Sequence, residues 1–143
     1  MEESLRKIAE HFPLTGQELK SYSALSLAYI GDAVYDLIVR TKITVRGNTK
    51  PNKYHKEVIG YVNAKAQTAF MDKLKPLLTE EEKTIFKRGK NAKSPTTAKN
   101  QTHHDYRIAT GFEALIGYLY LTGQMERILE LMDYCFNDEP QGE

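Results

Sequence analysis

Two carboxylates sit in stretches of this sequence that are otherwise uncharged. Asp32 follows a charge-free run from Ser21 to Gly31, and Glu113 is the only charged residue between Ile108 and Gln124. A carboxylate buried without a partner is strongly unfavourable, so each is expected to face a basic side chain, to be protonated or to bind a cation. A groove-facing Arg or Lys meets that demand, and so does one divalent cation shared by both. Hard cations such as Mg²⁺ take oxygen ligands, often only one or two carboxylates, and complete their shell with water and substrate phosphate. Asp36, four residues before Arg40, has instead the spacing of an i,i+4 ion pair. Gly31, directly before Asp32, is costly inside a helix by about 1 kcal/mol relative to Ala, and its missing side chain would let a second helix approach closely.

The other chemical signal is positive charge. Lys87, Arg88, Lys90, Lys93 and Lys99 crowd a stretch interleaved with Ser, Thr, Pro and Asn, and Arg107 follows. Such a cluster suits a phosphate polyanion, although a solvated face with no partner has the same composition. Two other patterns do not hold. Thr84 and Asn91 stand where a P-loop around Gly89-Lys90 needs Gly and Ser or Thr. The adjacent His103 and His104 lack the spacing of a zinc site, and Asp105 is explained more simply as the acidic residue of a capping box opened by Thr102.

The elements that must carry these residues are helical. Leu5, Ile8, Ala9 and Phe12 give Glu2 to Phe12 an amphipathic period, broken by Pro13 to Gly16. Ser21 or Ser23 caps the next helix, which runs to Arg40 and is apolar around most of its circumference, as a central buried helix would be. Pro51 suits a first helical position and opens helical sequence to about Leu74, with a break expected near Gly60. Thr79-Glu-Glu-Glu82 has the capping-box pattern for a short helix ended by Gly89, and Lys87 to Asn100 reads as a basic surface loop. A further helix is expected from Thr102 to Thr122, with Gly123 as its stop. The last spans Gln124 to Phe136, with Met125, Ile128, Leu129, Met132 and Cys135 on one stripe. No stretch alternates like a strand, so the fold class is all-α, a helical bundle.

Length and composition agree. The 143 residues suffice for one domain, and 41% apolar residues supply a core without disulfides or metal staples. The lone Cys135 is read as a core residue. With no secretory leader in view, it points to a reducing cytoplasm. No apolar run approaches the roughly eighteen residues of a membrane span. The net charge of +1 conceals a strong asymmetry: residues 1–39 carry −3, residues 40–107 carry +10 and residues 108–143 carry −6.

The segments around the two carboxylates carry a resemblance. Leu27-Ala-Tyr-Ile-Gly-Asp-Ala-Val-Tyr35 is similar to the signature helix of the ribonuclease III family, and Thr110-Gly-Phe-Glu-Ala-Leu-Ile-Gly-Tyr118 to its second acidic helix. Lys50-Pro-Asn52 and Lys87-Arg-Gly-Lys-Asn-Ala-Lys93 resemble segments of the small form of that family, which has the catalytic domain without a double-stranded-RNA-binding domain. The likeness runs from about Leu25 to Leu131, in order and at matching spacing. Full-length members have acidic residues at the positions of Leu25, Ala28 and Thr110, and the small form resembles this chain in lacking them.

The resemblance implies a ribonuclease III fold over residues 1–143 and a homodimer with Tyr29 packed into the partner subunit. It further implies that Asp32 and Glu113 bind catalytic Mg²⁺, and that in-line hydrolysis of double-stranded RNA leaves 5′-phosphate and 3′-hydroxyl ends. Lys87, Arg88, Lys90, Lys93, Lys99 and Arg107 would hold the RNA backbone. The implied substrate is precursor 23S ribosomal RNA, with a large-subunit ribosomal protein as a helper. The competing readings are a non-catalytic RNA-binding or ribosome-associated helical dimer and a dimerisation module with ion pairs at its interface. Keeping both Asp32 and Glu113 in apolar helices favours the enzyme.

Overall fold

A computed structural model of the chain describes residues 2–14, 16–92 and 103–136. Among these there is no strand, and the elements are helices in the order α1 (Glu2–His11), α2 (Gly16–Ser21), α3 (Ala24–Thr44), α4 (Pro51–Val62), α5 (Ala64–Leu74), α6 (Glu80–Lys90), α7 (His103–Leu121) and α8 (Met125–Phe136). A single 3-10 turn, Lys75–Leu77, links α5 to the approach of α6. The all-α expectation is met.

The local signals for helix ends act as their chemistry requires. Ser23 caps α3 by accepting from the Ser26 amide at 3.1 Å. Thr79 and Glu82 form a complete capping box, the Thr79 hydroxyl accepting from the Glu82 amide and the Glu82 carboxylate from the Thr79 amide. Gly123 takes a positive φ of 74° just past α7, a conformation that favours glycine.

Four boundaries differ from expectation, the first being α3, which runs on to Thr44 rather than ending at Arg40. A short helix, α2, forms from Gly16 to Ser21, in the stretch between the Pro13–Gly16 break and the α3 cap. The α4–α5 break falls at Asn63 rather than Gly60, because Asn63 caps α5 by accepting from the Ala66 amide at 2.8 Å. Gly89 does not end α6. It lies inside the last turn, so Lys87, Arg88 and Lys90 stand on helix and not on loop.

The central helix is α7, not α3. Ile108, Phe112, Leu115, Ile116 and Leu119 of α7 are all essentially inaccessible, and α3, α5, α6 and α8 pack around them. α3 buries Leu27, Val34, Tyr35, Val39 and Ile43 but leaves Leu25, Tyr29 and Leu37 exposed, Tyr29 by 83%. Its apolar circumference is therefore half core and half open surface.

Glycines set the spacing of the bundle. A Cβ on Gly31 of α3 would overlap the Glu113 carbonyl oxygen and lie 2.7 Å from the Gly117 amide nitrogen. One on Gly117 of α7 would overlap the Leu27 carbonyl oxygen. A Cβ on Gly89 would lie 2.7 Å from the Gly111 Cα, which is why that residue is packing and not a terminator. On the other side of the bundle, Arg127 of α8 grips the buried Glu82 through two hydrogen bonds of 2.8 Å and donates to the Leu77 carbonyl at 2.9 Å. That bidentate guanidinium holds the Glu82 carboxyl below its ordinary range and ties α8 to the start of α6.

Candidate active site

The close approach of α3 and α7 is what brings the two carboxylates together. Gly31 rests against the backbone of Glu113, so the next residue on α3, Asp32, stands beside the Glu113 side chain. The two carboxyl groups come within hydrogen-bonding reach of each other. Asp32 itself is exposed and Glu113 half-buried, so the pair reaches the surface and is not enclosed in the core that the surrounding apolar sequence suggests. The reason is geometric: Leu27, Val34 and Tyr35 are buried on one side of α3, and Asp32 stands off that side.

The electrostatics of the pair are those of like charges in a poorly solvated place. Burial is the larger cause and the Asp32 carboxylate the next, and together they push the Glu113 carboxyl up to about 8. One neighbour acts in the other direction. Gln67 of α5, itself only 1% exposed, donates from Nε2 to Glu113 Oε2 at 3.3 Å and so favours the charged form. The sequence offers one sign of Gln67: it is the single polar member of the inward stripe Ala64, Gln67, Met71 and Leu74 of α5.

A divalent cation fits this arrangement. Burial first, and the nearby Asp32 carboxylate second, keep Glu113 protonated near neutrality, and a hard cation between the two oxygen-donor side chains would offset both. Among the described residues no group of three or more His, Cys, Asp or Glu could hold a metal, so a cation here would meet the two carboxylates Asp32 and Glu113. The position three before Glu113 is Thr110, whose hydroxyl donates to the Tyr106 carbonyl at 3.0 Å. Asp36 is engaged with Arg40 at 2.8 Å, as its spacing predicts.

A pH dependence follows. Without metal, Glu113 keeps its proton up to about pH 8 in the folded chain but only to about its ordinary value of 4.5 when unfolded. The folded state then binds more protons between those values, so this group's contribution to stability is lost as pH rises through the window, by at most about 1.4 kcal/mol per pH unit, and is level above it. In EDTA, the melting temperature of the wild type should fall between pH 5 and 8 relative to that of Glu113→Gln. Parallel curves for the two proteins would contradict the raised carboxyl.

The basic residues divide. Lys87 projects from the last turn of α6, where Gly89 packs on Gly111 and Ala114, the residues flanking Glu113 on α7. The fold thus puts the basic end of α6 against the acidic helix of the site. Lys90 is half-buried in the same turn. Arg88 donates to the Tyr22 carbonyl at 2.9 Å, and Arg107 to the Lys90 carbonyl and the Asn91 Oδ1 at 2.9 and 3.0 Å. Both arginines are exposed while also fastening the chain. Lys93 and Lys99, and the Thr102 of the expected capping box, lie outside the described residues. His103 and His104 are exposed at the start of α7, and Cys135 is buried, its thiol pushed up to about 12 by burial.

Known proteins resemble this chain in sequence and fold. The profile of the Ribonuclease III domain matches residues 25–124, which span the start of α3 to the end of α7. A Mini-ribonuclease 3 of Clostridium tetani is 50% identical over 124 residues, covering 86% of this chain and 82% of that protein. A Mini-ribonuclease 3 of a Thermoanaerobacter species is 48% identical over 134 residues, covering 93% and 94%. Among solved structures, a Fusobacterium nucleatum protein superposes with a TM-score of 0.78 at 34% identity, over 85% of this chain and 98% of that one.

Proposed function

The chain belongs to the ribonuclease III family and is an endoribonuclease, and from that premise we propose that it cleaves double-stranded RNA with Mg²⁺ held by Asp32 and Glu113. The single observation that carries this reading is the apposition of those two carboxylates across the glycine-spaced crossing of α3 and α7. When bound, Mg²⁺ supplies Lewis-acid stabilisation of phosphoryl charge and a lowered pKa for water. The protein's own part is to hold two oxygen ligands at a fixed spacing on rigid helices, and to leave the rest of the shell open on the exposed Asp32 side, where a phosphate would lie. Water attacks phosphorus in line and the bond to O3′ breaks, leaving 5′-phosphate and 3′-hydroxyl ends.

The basic end of α6, with Lys87, Arg88 and Lys90, and with Lys93, Lys99 and Arg107, holds the RNA backbone in this reading. Duplex RNA is recognised mostly through phosphates, 2′-hydroxyls and shape, so binding should weaken steeply with salt. Residues 1–143 are read as one catalytic domain working as a homodimer. Exposed Tyr29, in an open groove of about 960 Å³ with Phe12, Tyr22 and Leu25, supports a place for it at the interface. Precursor 23S ribosomal RNA is the proposed natural substrate, with a large-subunit ribosomal protein as a helper and the cytoplasm as the compartment. No helix among the described residues is long and apolar enough to cross a membrane.

The test is cleavage of a labelled RNA duplex. Product should appear with Mg²⁺ and vanish in EDTA, with 5′-phosphate ends by end-group analysis. Full activity in EDTA would sink the metal assignment, and duplex binding without any cleavage would favour a non-catalytic RNA-binding protein.

A further inference from the structure

We propose that Gln67 is a positioning residue for the metal ligand Glu113, fixing one carboxylate oxygen so that the other is presented to the cation. The inference rests on the reading of Asp32 and Glu113 as the metal pair and adds a residue from a third helix to it. Gln67 occupies a core position of α5, where an apolar side chain would pack without desolvating an amide, and it is 1% exposed. Buried amides are retained when they have a partner, and the Gln67 Nε2 donates to Glu113 Oε2 at 3.3 Å. α5 lies against α7, so the donor comes from a rigid helix rather than a loop. It is also held in register at its own start by the Asn63 cap.

The choice of a neutral donor matters. A lysine or arginine at this position would neutralise Glu113 by itself and compete with the cation for it. An amide supplies a hydrogen bond to one oxygen, adds no charge, and leaves the second oxygen free to face Asp32. Outer partners of this kind orient the ligand and favour its ionised form, and their loss weakens metal binding by about 10- to 100-fold.

Gln67→Met keeps the volume and removes the donor. Mn²⁺ binding to the RNA-free protein, read by electron paramagnetic resonance, should weaken by about tenfold or more. Cleavage by the variant should be lost at low Mg²⁺ and recover at saturating Mg²⁺, with the KM for RNA unchanged. Unchanged Mn²⁺ affinity, or a rate deficit that no Mg²⁺ concentration restores, overturns the proposal. Should the variant fail to fold, the unmodified protein decides. The side-chain amide resonances of Gln67 should shift on Mg²⁺ addition with the midpoint of binding, and resonances that stay in place overturn it. Glu113→Gln separates the two levels: if it binds Mn²⁺ like the wild type, the metal pair itself is wrong. If it loses binding while Gln67→Met does not, only the role of Gln67 falls.

Discussion

Asp32→Asn and Glu113→Gln are each expected to lower cleavage of duplex RNA by at least about 10³-fold. Lewis-acid stabilisation at phosphorus contributes several kcal/mol, and about 4 kcal/mol corresponds to that factor. In that reading two protein carboxylates hold the cation, so removing either leaves one, and no group of three or more His, Cys, Asp or Glu among the described residues offers a substitute. Neither change should unfold the protein. Asp32 is exposed and Glu113 half-buried, and each substitution replaces one of two mutually repelling groups by a neutral amide of the same shape. In EDTA at pH 8.5, Glu113→Gln should melt no lower than the wild type. Single-turnover cleavage with a matched melting curve checks both halves, and a variant of either residue with full activity would refute the site.

Gly31→Ala should be a strongly damaging single-methyl change. Helix propensity alone would make Ala better than Gly by about 1 kcal/mol. Here the new Cβ meets the Glu113 carbonyl oxygen and the Gly117 amide, backbone atoms that cannot turn aside as a side chain would. The helices must separate, and overpacking of this kind costs about 1–3 kcal/mol or more. The whole α3–α7 contact is at stake, so a loss of at least about 3 kcal/mol is expected, a fall in melting temperature of about 10 °C. Cleavage should fall as well, since Asp32 and Glu113 are placed by that contact. Gly60→Ala is the control: nothing lies within 4 Å of its Cβ position, so the same substitution there should stabilise by about 0.5–1 kcal/mol. If Gly31→Ala melts like the wild type, the backbone contact is not as close as described.

Much of this architecture is legible in the order of residues, because it depends on neighbours along the chain. The Ser23 cap, the Thr79–Glu82 capping box, Pro51 at a helix start, Gly123 past a helix end and the Asp36–Arg40 pair all act within four residues and appear as their spacing predicts. The carboxylates stood out for a similar reason, since an acid in an uncharged helical run is conspicuous without any structure.

Other features depend on which helix lies across from which, and a linear pattern does not contain that. Apolar periodicity in α3 cannot tell a face covered by α7 from one left open, and Tyr29, Leu25 and Leu37 of that apolar run are exposed, Tyr29 by 83%. Gly89 has the look of a helix stop and is a packing contact, because the residue opposite is Gly111. Arg127, the only basic residue after Arg107, reads as a solvated charge, yet it closes a bidentate pair with Glu82, 45 residues earlier. Gln67 shows only as one amide on an apolar stripe until α5 sets it against Glu113. Residue types and short spacings thus specify the helices and name Asp32 and Glu113. Their meeting, with Gln67 behind them and the basic end of α6 alongside, is a tertiary outcome: the pair is joined by glycine-to-backbone contacts, Gly31 to Glu113 and Gly117 to Leu27, between residues more than 80 positions apart along the chain.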